Sequence, residues 1–186
     1  MSEIKKVLKD DLPSKIYLDT TFFVDVLIET ISNKICHGKA FKFAERLKVS
    51  QTTVICSKLS FLEFWNAAFG IGLEDVCGNR NIESISGNEG LSDKVFVWTE
   101  SQYKNLILFL ETLTNRPDLK INESVGIFGM GRNVYDRARE TAMKYKLPIY
   151  DAIHYNTMLD TNTKHLVTNN MGDFKHLKGI YIWSYR

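Results

Sequence analysis

KIYLDTTFFVDVL, residues 15–27, decides how the chain is to be read. Its opening, KIYLD, has the length and apolar content of a short buried strand that runs out at an acid, Asp19. The next residues are helical: Phe22, Phe23, Val26 and Leu27, continued by Ile31, fall on one stripe, and Thr20 or Thr21 can cap its start. The same alternation recurs downstream. A helix over about 38–50 precedes TTVIC (52–56), which is β-rich, and SFLEFWNAAF (60–69) is again helical. VFVW (95–98) reads as a short strand, SQYKNLILFLETLTNR (101–116) as a helix closed by Pro117, and DLKIN (118–122) as a strand. RNVYDRARETAMKYK (132–146) is amphipathic, and IYDAIHYNTMLD comes after Pro148 as a further helix. HLVTN (165–169) and an apolar stretch around 180–183 supply the last strands. About five short strands separated by helices predict an α/β fold: a mostly parallel central sheet sandwiched by helices.

Residues 1–186 fit a single domain. Within it, 70–93 is rich in Gly, Asn and Ser, so an inserted excursion is expected around 70–100. A chain this long buries roughly 70% of its unfolded surface and needs no disulfide or structural metal to fold. Cys36, Cys56 and Cys77 form no CxxC pair and are odd in number, which argues against a disulfide framework and suits a reducing cytoplasm. No apolar run approaches the roughly 20 residues that span a bilayer, and the charged amino terminus lacks the apolar centre of a signal peptide. A cytoplasmic protein without membrane association is the expectation. The net charge of +2 neither announces nor excludes a nucleic-acid partner.

Four carboxylates stand at places with a common geometry. Asp19 ends a strand, Glu63 and Asp151 begin helices, and Asp173 comes after the HLVTN strand. Each has an ordinary account alone: Asp19 and Asp151 as helix-start acids, Glu63 as partner of Ser60 in a capping box, Asp173 as a turn cap. In a parallel sheet, however, all four places face the edge where the strands' carboxyl ends lie, which is where such sheets bind ligands. Converging carboxylates repel unless a cation joins them, and hard oxygen donors without paired Cys or His suit Mg²⁺ or Mn²⁺.

The strings around these acids are more specific than their spacing. KIYLDTTFFVDVL resembles the opening strand and helix of PIN domains, and SKLSFLEFWNA the second segment of that family, whose Glu starts a helix. KYKLPIYDAIHYNTML is similar to the third segment, and HLVTNNMGDFKHLKGIYIW to the fourth. They occur in family order and cover roughly 15–69 and 131–183. The resemblance is to prokaryotic single-domain PIN nucleases, the VapC-type toxins of toxin–antitoxin pairs among them. It implies a three-layer α/β/α fold and a Mg²⁺- or Mn²⁺-dependent endoribonuclease that leaves 5′-phosphate and 3′-hydroxyl ends. It implies Asp19 and Asp151 as principal metal ligands and Glu63 as the second acid. The fourth acidic place falls either where Asn170 or where Asp173 stands; only Asp173 is charged, so it takes the role with Asn170 as neighbour. Thr20 and Thr168 match the hydroxyl positions that hydrogen-bond the acids. RNA as substrate, an antitoxin protein as partner and a homodimer are the associations implied.

A catalytically quiet PIN domain acting as an RNA-binding or protein-interaction module is the alternative from another class; the intact set of acids speaks against it. Phosphate contacts need cations, and Lys58, Arg132 and Arg137 are the candidates, with a solvated helix face as the equal alternative. GIFGMGRNV fails the dinucleotide fingerprint because Val134 stands where the third glycine belongs. His154, His165 and His176 match no zinc spacing, and His154 reads as a partly buried neighbour of Asp151.

Overall fold

The strand and helix expected at 15–27 meet at a single residue: Lys15–Leu18 is a strand, Thr20–Leu27 a helix, and Asp19 lies between them. The computed structural model of the protein describes residues 2–27, 34–57, 59–60, 63–64, 67, 108, 120–122 and 132–185. In chain order the elements are β1 (Glu3–Lys6), β2 (Lys15–Leu18), α1 (Thr20–Leu27), α2 (Lys34–Val49), β3 (Thr53–Ser57), β4 (Lys120–Asn122), α3 (Arg132–Tyr145), α4 (Ile149–Asp160), β5 (His165–Val167), α5 (Met171–Phe174) and β6 (Tyr181–Ser184). Residues 59–60, 63–64 and 67 are helical as well. The six strands form one sheet in the order β1-β6-β5-β2-β3-β4, and every pairing is parallel.

Strand periodicity sorts the core into two layers. Ile16, Leu18, Val54, Cys56, Val167 and Trp183 face one way, onto α1 and α2 through Phe22, Phe23, Phe43 and Leu47. Tyr17, Ile55, Leu166 and Ile182 face the other way, onto α3 and α4 through Ala138, Ala152, Ile153 and Met158. Strands buried on both faces read as near-continuous apolar runs, as KIYL and TVIC do. Phe22 is fully buried and stacks edge-on against Phe23, Phe43 and Tyr185, which anchors α1 and the residue just before it. Burial of one such ring contributes about 1.5–3 kcal/mol.

The three-layer arrangement is the expected one, with three differences. β1 was not anticipated: EIKK carries a single apolar residue, and it holds its place by pairing with β6 at the sheet edge, where charged side chains also discourage further strand addition. α2 begins at Lys34 rather than near 38. A one-turn helix, α5, stands after β5 where a short turn capped by Asp173 was the ordinary account. The strand expected at 95–98, the excursion expected around 70–100 and the GIFGMG stretch at 126–131 lie outside the described residues, as does the helix expected at 101–116 apart from Leu108. Among the described residues no helix is long and apolar enough to cross a membrane.

The order of connection locates the site. From β2 the chain runs outward to β3 and β4, then returns to the other side of β2 for β5 and β6. The reversal opens a crevice beyond the carboxyl ends of β2 and β5, the usual ligand position in an open parallel sheet.

Candidate active site

Asp19 occupies that crevice because β2 ends there. Its backbone N–H still bonds Val167 of β5, at 3.1 Å, so the residue is held as if it were the strand's last member. The residue is 5% exposed and its carboxylate is well supplied with donors. Oδ1 accepts the Thr20 N–H at 2.7 Å; Oδ2 accepts the hydroxyls of Thr21 at 2.9 Å and Thr168 at 2.8 Å. Asp19 is itself the residue preceding α1, and its carboxylate takes the first N–H of that helix, which has no partner within it. Thr20 and Thr21, the two residues able to cap α1, turn their hydroxyls to the acids: Thr21 donates to Asp19, as Thr168 does, and Thr20 donates to Glu63 Oε2.

Glu63 is not the partner of Ser60. Among the described residues the Ser60 hydroxyl is buried without a hydrogen-bond partner, and the Leu59 N–H is taken by the Ser57 hydroxyl at 3.1 Å. The Glu63 carboxylate reaches across to α1 and α4, where His154 Nε2 lies 2.8 Å from Oε2. Burial pushes the Glu63 carboxyl up, but the hydrogen bond and charge of His154 and the Thr20 hydroxyl outweigh it and hold it below the ordinary value.

Asp151, in the first turn of α4, goes the other way. Burial first, then the charge of Asp19, with a smaller push from Asp173, raise its carboxyl to about 7, against a partial offset from His154. Asp173 lies within hydrogen-bonding reach of Asp151, and its Oδ2 accepts the Asn170 side-chain N–H at 2.5 Å. Asn170 in turn gives its backbone N–H to the Thr168 hydroxyl at 2.9 Å. The two residues competing for the fourth place are thus bonded to each other.

These groups surround a cleft of about 680 Å³ lined by Asp19, Thr20, Thr21, Val24, Asp25, Glu63, Ala67, Asp151, Asn169, Asn170, Met171 and Gly172. Asp173 is not among those lining residues but is bonded to one of them, Asn170. Among the described residues the lining holds Asp19, Asp25, Glu63 and Asp151 and neither Lys nor Arg.

Two further side chains, Asp25 and Asn169, belong here without having been singled out in the sequence, and His154, read there as a partly buried neighbour of Asp151, is central. His154 is 1% exposed, with Nδ1 2.6 Å from the Tyr17 hydroxyl and Nε2 2.8 Å from Glu63 and 3.6 Å from Asp19 Oδ1. Burial opposes its protonation, but Glu63, Asp19 and Asp151 prevail and raise its pKa. Asp19, Glu63 and His154 offer ligand atoms within 4.8 Å of one another. The His154 nitrogen in that group faces two carboxylates, where a hydrogen on it is favoured, so the carboxylate oxygens are the atoms of the group that could hold a metal ion. Asp25, 8% exposed, accepts the Tyr185 hydroxyl and the Asn169 side-chain N–H, each at 2.7 Å. Asn169 also donates its backbone N–H to the Thr21 hydroxyl at 3.0 Å, which joins the β5–α5 turn to α1. The His154 signal was its i+3 spacing from Asp151, which puts both on one helix face; nothing in the sequence distinguishes Asp25 or Asn169.

Of the cations proposed for phosphate contact, Lys58 lies outside the described residues, as does the side chain of Arg132. Arg137 is engaged elsewhere: its guanidinium grips Asp160 with bonds of 2.7 and 2.9 Å. Asp160 is the last residue of α4, about 13 Å along the helix axis from Asp151.

A family model described as PIN domain matches residues 16–180. No curated protein matches the chain. Among solved structures, a "Toxin-antitoxin complex from Klebsiella pneumoniae" is similar over 92% of this chain and 98% of that one, at 15% identity and a TM-score of 0.49. A likeness of that degree says nothing about activity.

Proposed function

The chain belongs to the PIN domain family, and from that premise we propose that it is a metal-dependent ribonuclease hydrolysing RNA phosphodiester bonds. The observation that carries the reading is the cleft at the sheet's reversal point. Carboxylates from β2–α1, from the helical residues around 63 and from α4 line it, and no Lys or Arg among the described residues offsets them. A polyanion can enter such a cleft only with a cation in place.

The donor set fits Mg²⁺ or Mn²⁺: the carboxylates are hard oxygen ligands, and among the described residues no cysteine lines the cleft. Asp19, Glu63 and Asp151 would hold the ion, with Asp173 supporting Asp151 from behind. When bound, the ion supplies neutralising charge for the phosphate and a water of lowered pKa. The chain's own part is preorganisation. Thr21 and Thr168 fix the rotamer of Asp19, and Thr20 does the same for Glu63, so little reorganisation remains when substrate arrives. Asn170 and Asn169 line the cleft with amide groups able to bond phosphate or sugar oxygens. Water is the nucleophile in this reading, and cleavage leaves 5′-phosphate and 3′-hydroxyl ends.

The test is cleavage of end-labelled RNA by purified protein across a Mn²⁺ titration. Asp19→Asn and Asp151→Asn should lose more than the roughly 10–100-fold that loss of an outer-shell partner costs, with unchanged far-UV circular dichroism. Cleavage at the native rate in either variant would sink the assignment. RNA binding without metal-dependent cleavage would favour the quiet-module reading. The resemblance to VapC-type toxins extends the proposal to a toxin held in check by an antitoxin protein. Growth arrest on expression of the native chain, absent for Asp19→Asn, is the corresponding expectation.

A further inference from the structure

We propose that His154, backed by Tyr17, is a positioning residue that fixes which oxygen Glu63 presents to the metal site; the inference rests on the metal-binding reading above. Glu63 reaches the cleft from the helical residues around 63, and among the described residues none of that stretch donates a hydrogen bond to its carboxylate. Its carboxylate is therefore fixed from outside, by Thr20 on α1 and His154 on α4. Both bonds fall on Oε2. Among the described residues this leaves Oε1 as the oxygen without a donor, the one available to a cation.

The direction of the His154 bond is set by its surroundings. Nε2 lies 2.8 Å from Glu63 Oε2 and 3.6 Å from Asp19 Oδ1. A lone pair aimed at two carboxylates would be repelled, so Nε2 carries hydrogen and donates. The other ring nitrogen is held 2.6 Å from the Tyr17 hydroxyl, and Tyr17 is fully buried on β2, two residues before Asp19. The two rings meet edge to face with centroids 5.8 Å apart, so the imidazole has no free rotation. Tyr17, His154 and Glu63 thus form a chain that starts on the central strand and ends at a ligand. An imidazole whose second nitrogen is tied down in this way is how proteins commonly set the orientation of a ligating group. The consequence for the site is that Glu63 binds through one oxygen, while His154 stays off the metal.

Two measurements test this on the full chain. The first is calorimetric titration of Mn²⁺ into the native protein and into His154→Leu, His154→Gln, Tyr17→Phe and Asp19→Asn. His154→Leu should weaken Mn²⁺ about 10–100-fold. His154→Gln, whose amide can donate to Glu63 from nearly the same place, should return to within a few-fold of native. Tyr17→Phe should lie between them. A purely structural role would leave Gln no better than Leu; that result, or native affinity in His154→Leu, overturns the proposal. The second is nitrogen–proton correlation spectroscopy of the histidine rings in metal-free protein. Nε2 of His154 should bear a slowly exchanging, downfield proton that Glu63→Ala abolishes and Tyr17→Phe shifts. An unprotonated Nε2 at neutral pH overturns the relay whatever the titration gives. Native Mn²⁺ affinity in Asp19→Asn defeats the metal reading instead.

Discussion

At the scale of single residues, two carboxylates lining one cleft are driven in opposite directions. Asp151 rises to about 7 because burial and the charge of Asp19 are only partly offset, while Glu63 falls because His154 and Thr20 bond it directly. This sets the pH dependence of stability in chelated protein. Asp151 has a folded pKa above its ordinary value near 4, so its contribution is full below about 4 and is lost as pH rises through about 7. His154 is also raised, and its contribution is likewise lost as pH rises through its folded value. Glu63 is lowered and acts oppositely, losing its contribution only on acidification below the ordinary carboxylate range. With metal chelated, the thermal midpoint should therefore fall between pH 5 and pH 8. Saturating Mn²⁺ should reverse that trend, because the ion takes over the charge compensation that protons supply. Calorimetric scans at both pH values, with EDTA and with Mn²⁺, check the sign; a chelated protein more stable at pH 8 contradicts it.

Among the elements, β1 shows how a segment with little apolar content is kept in place. EIKK pairs in register with β6, Glu3 against Tyr181 through Lys6 against Ser184. Beyond it Val7 is buried in the α1–α2 layer, and the chain is clasped by Arg46 of α2, whose guanidinium bonds the Val7 and Asp10 carbonyls at 2.6 Å each. Charged donors to backbone carbonyls contribute about 1.5–3 kcal/mol apiece in favourable settings. Arg46→Ala should cost about 2–3 kcal/mol in urea unfolding and release amide-exchange protection at residues 3–7 before any other strand. Uniform protection across β1 and β2 in that variant would show that the clasp is dispensable. The helix starts near the site obey a similar logic of displaced roles: hydroxyls placed to cap α1 support carboxylates, and Asp19 takes the capping position itself.

For the whole molecule, the site exists because segments far apart in sequence end on one edge of the sheet. β2 and β5 are adjacent in space and lie on opposite sides of the topological reversal, so Asp19 and Thr168 meet at 2.8 Å across 149 positions of sequence. A metal ion held by Asp19, Glu63 and Asp151 would tie together both helical layers and the central strand. The unfolded chain has no such constellation, so binding must stabilise the entire fold. At a free Mn²⁺ concentration about 100 times Kd, the expected gain is about 2.7 kcal/mol. A single cooperative melting transition that shifts upward with Mn²⁺, and does not shift in Asp19→Asn, is the predicted observation.

What the sequence determined by itself was the alternation of elements and the identity of the acids. KIYL and TVIC are legible as strands because both faces are buried and the runs are almost wholly apolar; IYDAIHYNTMLD is legible because Pro148 marks its start. Asp19, Glu63 and Asp151 could be picked out because each stands at a strand end or helix start, where parallel topology directs them to one edge. EIKK was illegible as a strand, since an edge strand held by β6 and Arg46 needs no apolar pattern of its own. The roles of Thr21, Asp25, His154 and Asn169 were decided only by tertiary structure. Hydrogen bonds between side chains 91 to 160 positions apart leave no periodic trace in sequence. Ser60 and Glu63 carry the reason in miniature: the local spacing fits a capping box, yet His154 and Thr20, brought close by the fold, offer the Glu63 carboxylate stronger partners than the local N–H.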